Sequence, residues 1–235
     1  MFLKWFIPCI VTVAVIAVLV ASLTYKKNRF TTKDLALAAV CLGLSFALSY
    51  IRLWRMPQSG SVTAASMLPI MLFAYIAGFR KGLIVGIAYG FLQLVQDPFI
   101  VHPVQPLLDY IFGFGAIALA GAFKNIKPLK KVDFLLGIIA VGIARFFFSY
   151  VSGVVFFPEY APAGQSVWIY SAIYNSVLLV DSAICLAAAI YLQYSPQFRK
   201  FMNYMDDGRN FKFKGNKETA AETNVEADVS GNEAK

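Results

Sequence analysis

The sequence has few charged residues. Asp, Glu, Lys and Arg make up 14% of its 235 residues, whereas hydrophobic residues make up 59%. A soluble domain carries roughly 25% charged residues, so the composition excludes an ordinary soluble protein. The 21 Lys and Arg residues outnumber the 13 Asp and Glu residues, and in so apolar a chain this excess indicates cytoplasmic loops rather than a nucleic-acid surface. We therefore predict an all-α, polytopic protein of the lipid bilayer without a nucleic-acid partner.

Histidine and cysteine are also scarce. The chain has one histidine, His102, and three cysteines, Cys9, Cys41 and Cys185, which all lie in apolar runs. An odd number of cysteines without a CxxC pair supports neither a disulfide framework nor a zinc site. A metal-dependent membrane enzyme would need several ligands together, and a single loop histidine is more often solvated or hydrogen-bonded than a ligand. The sequence thus predicts no metal and no cofactor.

Seven apolar runs can be interpreted as membrane helices, since about 20 residues of helix cross the roughly 30 Å of hydrocarbon. The first run is 5–25. The six that follow are approximately 35–51, 67–79, 82–96, 104–123, 134–157 and 167–194. We therefore divide the chain into an N-terminal transmembrane anchor with a basic linker (1–29), a six-helix membrane domain (30–202) and a polar tail (203–235) whose low hydrophobicity predicts disorder in the cytoplasm.

Positive charge marks every second connection between these runs. The basic residues of these connections are Lys26, Lys27, Arg29 and Lys33, then Arg80 and Lys81, then Lys124, Lys127, Lys130 and Lys131, and finally Arg199 and Lys200. The alternate connections lack Lys and Arg, except for Arg52 and Arg55 at the start of the first of them. Because cytoplasmic loops are enriched in Lys and Arg, the six-helix domain is predicted to span the plasma membrane with both ends in the cytoplasm. A cleaved signal peptide is the competing interpretation of the first run, but the length of the run favours an uncleaved anchor.

Polar and aromatic side chains gather at the predicted outer side. With a rise of 1.5 Å per residue, the fourth, fifth and sixth helices of the domain place these side chains in one layer. The residues of the layer are Asp109, Tyr110, Ser149, Tyr150, Tyr170 and Asn175, and Phe157 shares a helix face with Ser149 and Gly153. Such a layer predicts a pocket. The alternative is the aromatic belt found at the ends of most membrane helices.

Two charged residues lie deeper in the bundle. Arg145 and Asp181 fall near the midplane of consecutive antiparallel helices. A charge at this depth needs a partner or a polar interior, so we expect a structural ion pair rather than a ligand site. An intramembrane aspartyl protease would need Asp109 to face Asp181, but the estimated depths of these two residues differ. A structural membrane subunit without a ligand would not need a carboxylate at the depth of Asp109.

Four segments carry a resemblance to a known family. They are SVTAASMLPIMLFAYIAGFRKGLIVGIAYGFLQLV, QPLLDYIFGFGAIALAGAF, ARFFFSYVSGVVFFPEYAPAG and WIYSAIYNS. In this order and spacing they resemble the thiamine-specific S-components of energy-coupling factor (ECF) vitamin transporters, the ThiT-like proteins. The resemblance covers about 30–202 and leaves the first span and the tail outside. It implies a protein that is not an enzyme and that captures thiamine from outside the cell.

The resemblance also implies which residues bind the ligand. In the family an acidic residue followed by Tyr holds the aminopyrimidine ring, and these positions fall on Asp109 and Tyr110, although the family residue is usually Glu. Aromatic faces suit the thiazolium cation; the family's Trp falls on Phe157 and its pocket His falls on Ser149. These replacements keep a related vitamin or an aminopyrimidine precursor open as the ligand, and a non-transport membrane protein open as the function. The whole predicted substrate-binding set, in which Tyr170 and Asn175 match family positions, is Asp109, Tyr110, Ser149, Tyr150, Phe157, Tyr170 and Asn175.

The first helix of the domain carries a stripe of small residues, Ala39, Gly43 and Ala47. A spacing of four permits close approach of another helix, either within this chain or from a partner. In S-components such a face docks on a transmembrane coupling subunit, which connects it to two cytoplasmic ATPase subunits, so the resemblance implies that the stripe is a partner-docking surface. No Walker A sequence occurs in the chain, so ATP would be hydrolysed by those partners.

Overall fold

The computed structural model describes residues 30–124, 132–198 and 200–202. The predicted N-terminal anchor (1–29) and the predicted polar tail (203–235) lie outside the described residues, as do the lysines between 125 and 131. The chain divides into two compact units, Met1–Ile190 and Tyr191–Lys235. The first unit holds the helical body, and the described part of the second unit holds the last turn of the final body helix and the residues up to 202.

The described chain is mainly α-helical, and all six predicted helices of the membrane domain are present. Their bounds are Thr32–Ser49 (α1), Leu68–Ala77 (α2), Phe79–Gln96 (α3), Leu107–Gly121 (α4), Asp133–Phe156 (α5) and Val167–Tyr194 (α6). Among the described helices, α1, α5 and α6 are long and apolar enough to cross a membrane, and α2 and α4 are shorter apolar helices. The all-α membrane fold class is therefore confirmed.

Local sequence signals explain several helix ends. Thr31 caps α1 through a capping box, because its Oγ1 accepts from Asp34 N–H at 3.2 Å while Asp34 Oδ2 accepts from Thr31 N–H at 2.8 Å. A single residue, Gly78, separates α2 from α3, and its φ of 94° lies in the left-handed region that favours glycine. Arg80 and Lys81 consequently belong to the first turn of α3 rather than to the predicted connection.

The segment between α1 and α2 folds into a two-stranded antiparallel hairpin. Its strands are Arg52–Arg55 (β1) and Ser61–Thr63 (β2), joined through a 3-10 turn at Pro57–Ser59. The sequence predicts only a polar stretch here, since strands of three and four residues are too short for a period-two pattern to be recognised. We call residues 52–63 the hairpin.

The distribution of apolar residues is that of a membrane protein. Ile70, Met71 and Phe73 of α2 are completely buried in the centre of the bundle. Large apolar side chains are also exposed along the other helices, for example Val40 on α1 and Phe147 on α5, at 66% and 54%. A soluble protein rarely exposes so continuous an apolar surface, whereas contact with lipid tails requires one.

α4 begins irregularly. Its first segment, Leu107–Phe112, is a π-helix, and its last segment, Ala116–Gly121, is a 3-10 helix. π-helical turns are rare and occur frequently at functional sites. α3 packs against this turn at very short range, because a Cβ added to Gly90 would lie 2.2 Å from the carbonyl oxygen of Tyr110. The backbone of Tyr110 in this turn therefore lies directly against α3.

Candidate functional site

A cavity of about 190 Å³ lies between the hairpin and helices α1 and α3–α6. One ordered water molecule needs roughly 10–15 Å³ on this measure, so the cavity has room for an organic molecule. Its wall includes three carboxylates and two guanidinium groups, those of Asp97, Asp109, Asp181, Arg52 and Arg145. The formal charge of the wall is thus −1 (three negative and two positive groups), which favours a cationic ligand.

The structure brings most of the predicted site residues to this cavity. The residues on its wall are Asp109, Tyr110, Ser149, Phe157, Tyr170 and Asn175. Tyr150 is not on the wall of the cavity in the described chain. Its ring packs against Trp168 and Phe146, with centroids 6.1 and 5.8 Å away, and its carbonyl oxygen accepts from Ser171 Oγ at 2.8 Å. Ser149 faces the cavity, whereas the ring of the next residue, about 100° further round the helix, packs against Trp168 instead.

Asp109 is held on the wall by two side-chain hydrogen bonds to one of its oxygens. Its Oδ2 accepts from Gln105 Nε2 at 2.6 Å and from Ser152 Oγ at 2.9 Å. Its Oδ1 has no hydrogen-bond partner within the described part of the chain, which leaves one carboxylate oxygen for a ligand. The neighbouring Tyr110 donates its hydroxyl to the carbonyl oxygen of Asp97 at 3.1 Å, so the C-terminal end of α3 supports the same wall.

The hairpin forms a second wall and is tied to two helices. Arg52 Nη1 lies 2.5 Å from Asp97 Oδ2 at the end of α3. On the α6 side, the Tyr174 hydroxyl donates to the carbonyl oxygen of Pro57, and the Tyr170 hydroxyl lies 3.4 Å from Gln58 Oε1. The cavity is therefore closed laterally by the turn of the hairpin.

Aromatic rings form a third wall. Phe99 and Phe157 stack with centroids 6.0 Å apart and an interplanar angle of 14°, and Tyr160 lies 5.7 Å from Phe157. An aromatic face attracts a cation placed within about 6 Å of its centroid. The net negative charge of the wall and its aromatic surface thus both favour a cationic ligand.

The predicted ion pair between Arg145 and Asp181 is wrong. Within the described chain these two residues form no salt bridge, because each has other partners. Asp181 Oδ1 accepts from the backbone N–H and the hydroxyl of Thr63, at 2.8 and 2.9 Å. The guanidinium group of Arg145 lies over the ring of Phe114, 4.1 Å from its centroid, and donates to the sulfur of Met67. Both charges reach the cavity wall, where the hairpin residue Thr63 holds the carboxylate.

The side chain of His102 contacts other residues of the protein on both its ring nitrogen and its ring face. Its Nδ1 accepts from the N–H of Val104 at 3.2 Å, and its ring stacks on Phe156 with centroids 5.1 Å apart. In the regions that the structure describes, no three His, Cys, Asp or Glu residues are grouped in a way that could hold a metal ion.

Gln105 and Ser152 support the wall but were not predicted from the sequence. Gln105 lies four residues before Asp109, a spacing that brings side chains together on a helix, so this contact had a sequence signal. Ser152 is on α5, and only the packing of α5 against α4 brings it to Asp109. No pattern in the sequence indicates that pairing.

Gly153 allows α5 and α6 to meet beside the cavity. A Cβ added there would lie 2.2 Å from Ser171 Oγ and 3.1 Å from Asn175 Nδ2. We expect Gly153→Ala to displace Ser171 from Tyr150 and to lower the thermal stability of the purified protein. Overpacking costs about 1–3 kcal/mol, which exceeds the roughly 1 kcal/mol by which alanine favours a helix over glycine.

Gly43→Ala is the matched control for this prediction. A Cβ added at Gly43 meets nothing within 4 Å among the described residues, so this change should leave the melting temperature unchanged or raise it. Equal melting temperatures for the two variants would contradict the close contact at Gly153. The measurement is a thermal melt in detergent.

The fold and the cavity together define a multi-pass α-helical membrane protein with a small, polar and aromatic binding cavity. The sequence model of the family described as thiamine transporter protein (Thia_YuaJ) matches residues 35–201. The chain belongs to this family. Membership confirms the predicted ThiT-like resemblance, and it places the chain among transport proteins rather than enzymes.

Individual relatives agree with this assignment. The chain is 37% identical to the thiamine transporter ThiT of Bacillus subtilis (strain 168) over 147 residues, which cover 58% of this chain and 76% of the relative. It is 27% identical to the thiamine transporter ThiT of Lacticaseibacillus paracasei over 195 residues, 75% of this chain and 92% of the relative. A solved structure of ThiT from Listeria monocytogenes superimposes with a TM-score of 0.58 at 28% identity, covering 70% of this chain and 96% of that one.

Proposed function

We propose that this protein is the substrate-binding membrane subunit of an ECF-type transporter, which captures thiamine from outside the cell and delivers it inward with a transmembrane coupling subunit and two ATPase subunits. Membership of the thiamine transporter family supports the transport role. The observation that carries the choice of ligand is the unengaged Oδ1 of Asp109 on the wall of a cavity that also contains the Phe99–Phe157 pair.

Thiamine matches both chemical features of the cavity. Its aminopyrimidine ring has an exocyclic amine that donates to a carboxylate oxygen, and hydrogen bonds to a charged partner are stronger than neutral ones. Its thiazolium ring is a permanent cation, which suits the stacked rings of Phe99 and Phe157 and the net negative wall. The substrate-binding set is then Asp109, Tyr110, Ser149, Phe157, Tyr170 and Asn175, without Tyr150.

The proposed orientation places the hairpin end outside the cell and both ends of the helical body in the cytoplasm. Its support is the basic character of the opposite end of the bundle. Lys81, in the first turn of α3, pairs with Asp34 at the start of α1 at 2.6 Å, and Lys124 follows α4. Cytoplasmic loops carry the excess of positive charge in membrane proteins.

The proposed docking surface is the small-residue stripe of Ala39, Gly43 and Ala47. All three residues are exposed on α1, so the stripe is not used for packing within the described body. Exposed small residues allow the backbone of another helix to come close. The partner that we propose for this surface is the transmembrane coupling subunit, which the resemblance to S-components implies.

The experiment that tests the ligand is a fluorescence titration of the purified protein in detergent. Trp168 packs on Tyr150 next to α5, and Trp54 is on the hairpin, so tryptophan emission should respond to a ligand in the cavity. We expect saturable quenching by thiamine at submicromolar concentration. Unchanged tryptophan emission with thiamine, together with quenching by riboflavin or biotin, would assign the protein to another vitamin.

A pyrimidine precursor of thiamine is the second candidate ligand, since Ser149 and Phe157 stand where the family has His and Trp. We expect Phe157→Trp to tighten thiamine binding by about 0.5–2 kcal/mol, because Trp is the best aromatic partner for a cation. Thiamine and its uncharged pyrimidine fragment should be titrated in parallel against both proteins.

A gain for thiamine alone supports the thiamine assignment. In a cavity shaped for an uncharged ligand, the larger ring would crowd the site at a cost of about 1–3 kcal/mol. Weaker binding of both ligands, with the fragment bound more tightly than thiamine by the parent protein, would favour a precursor carrier.

A further inference from the structure

Two buried side chains determine how Asp109 presents its carboxylate. Gln105 and Ser152 are 2% and 1% exposed, and both contact the same oxygen, Oδ2, at 2.6 and 2.9 Å. Ser152 does not line the cavity, and Gln105 lines it but directs its amide NH₂ to Asp109. Their common target indicates a supporting role for the binding group itself.

Both neighbours act as donors to Asp109. The amide orientation of Gln105 is fixed by a second contact, because its Oε1 accepts from the N–H of Val101 at 3.3 Å and its Nε2 must therefore point to Asp109. An ionised carboxylate only accepts hydrogen bonds, so the hydroxyl of Ser152 donates to Asp109. With two donors on Oδ2, the lone pairs of this oxygen are in use, and Oδ1 is the acceptor that is left.

We infer that Gln105 and Ser152 are positioning residues that make Asp109 select a ligand with a hydrogen-bond donor at this place in the cavity. The inference rests on the proposed function. For thiamine, the selected donor is the amine of the pyrimidine ring, and Asp109 receives it through one oxygen rather than through both. A ligand with an exocyclic oxygen in place of the amine would bring an acceptor against the acceptor Oδ1, and the site would reject it.

The burial of the two donors makes them hard to replace. Water cannot easily substitute for a donor that is 1% or 2% exposed, so removal of either one leaves Oδ2 with a single donor and an unreplaced hydrogen bond in the bundle. The carboxylate would then be free to turn Oδ2 toward the cavity or to withdraw Oδ1. The preference for a donor on the ligand should weaken in either case, together with affinity for thiamine.

The test uses the full-length protein in detergent, with Ser152→Ala and Gln105→Met as separate variants. Calorimetry gives the Kd of thiamine and of the thiamine analogue whose pyrimidine amine is replaced by an oxo group. We expect the parent protein to prefer thiamine by at least about tenfold, and each variant to bind thiamine about tenfold more weakly. Binding of the oxo analogue should stay the same or improve, so that the preference for thiamine over the oxo analogue becomes smaller.

Ser182→Ala is the matched control. Its hydroxyl is also buried, at 7% exposure, but it donates to the carbonyl oxygen of Leu178 in its own helix. This variant should keep both Kd values. The outcomes separate the two proposals. A parent protein that does not bind thiamine overturns the proposed function and this inference with it. If the parent protein binds thiamine, two results overturn the positioning role alone. One is an unchanged preference for thiamine over the oxo analogue in both variants, and the other is an equal loss of affinity for the two ligands.

Discussion

Asp109→Asn is expected to weaken thiamine binding by about 1.5–3 kcal/mol, the range for hydrogen bonds to charged groups, while the protein still inserts and purifies. The substitution keeps the size of the side chain and removes its charge. Because Gln105 and Ser152 both donate to Oδ2, the oxygen of the new amide should turn toward them. The cavity would then meet an NH₂ group, which repels the amine of the ligand.

The measurement is the Kd for thiamine by calorimetry or tryptophan quenching, with Asp133→Asn as the control. Asp133 is also a buried carboxylate, 5% exposed, which accepts from the Tyr75 hydroxyl at 3.0 Å, but it does not line the cavity. The control should bind thiamine as the parent does. An unchanged Kd for Asp109→Asn would remove this carboxylate from the binding site, and an equal loss in both variants would indicate a general effect of losing a buried charge.

Most of the helical body could be predicted from apolar run length. The predicted run 167–194 coincides with α6, and the run 82–96 differs from α3 only in its first turn. Arg80 and Lys81 lie in that first turn, although their charge led to the prediction of a loop. The connection to α2 is a single residue, Gly78, so it leaves no loop in which they could lie. The hairpin could not be predicted, since its strands are held by their pairing and by contacts to α3 and α6 rather than by a strong local pattern.

The depth of the site residues in the membrane domain could be predicted from the sequence, but the direction of their side chains could not. Helix rise places Ser149 and Tyr150 at nearly the same depth, yet only the position of α6 decides which of them faces the cavity. The expected pairing of Arg145 with Asp181 failed for a related reason. Helix rise predicts that the two charges lie at the same depth, but it does not predict their contacts. Thr63 of the hairpin donates to Asp181, and the guanidinium group of Arg145 lies over the ring of Phe114.

The small-residue stripe supports the second large expected effect. Gly43→Leu should leave thiamine binding intact but abolish thiamine uptake by cells, because a bulky side chain would prevent the close approach of the coupling subunit. Gly43 is exposed, and nothing among the described residues lies within 4 Å of a Cβ added there. The isolated protein can therefore accommodate the change, so loss of uptake would not come from misfolding. Ala39→Leu should behave in the same way.

Ala187→Leu on α6 is the matched control, since Ala187 is also an exposed small residue of an apolar helix but lies outside the stripe. It should keep both binding and uptake, and it should co-purify the partner subunits from native membranes as the parent does. Unimpaired uptake in the Gly43 and Ala39 variants would move the docking surface to another helix. Loss of uptake in all three variants would mean that any added bulk on the lipid-facing surface is harmful. Only loss confined to α1, with thiamine binding retained, separates capture of the ligand from its delivery and assigns delivery to the exposed face of this helix.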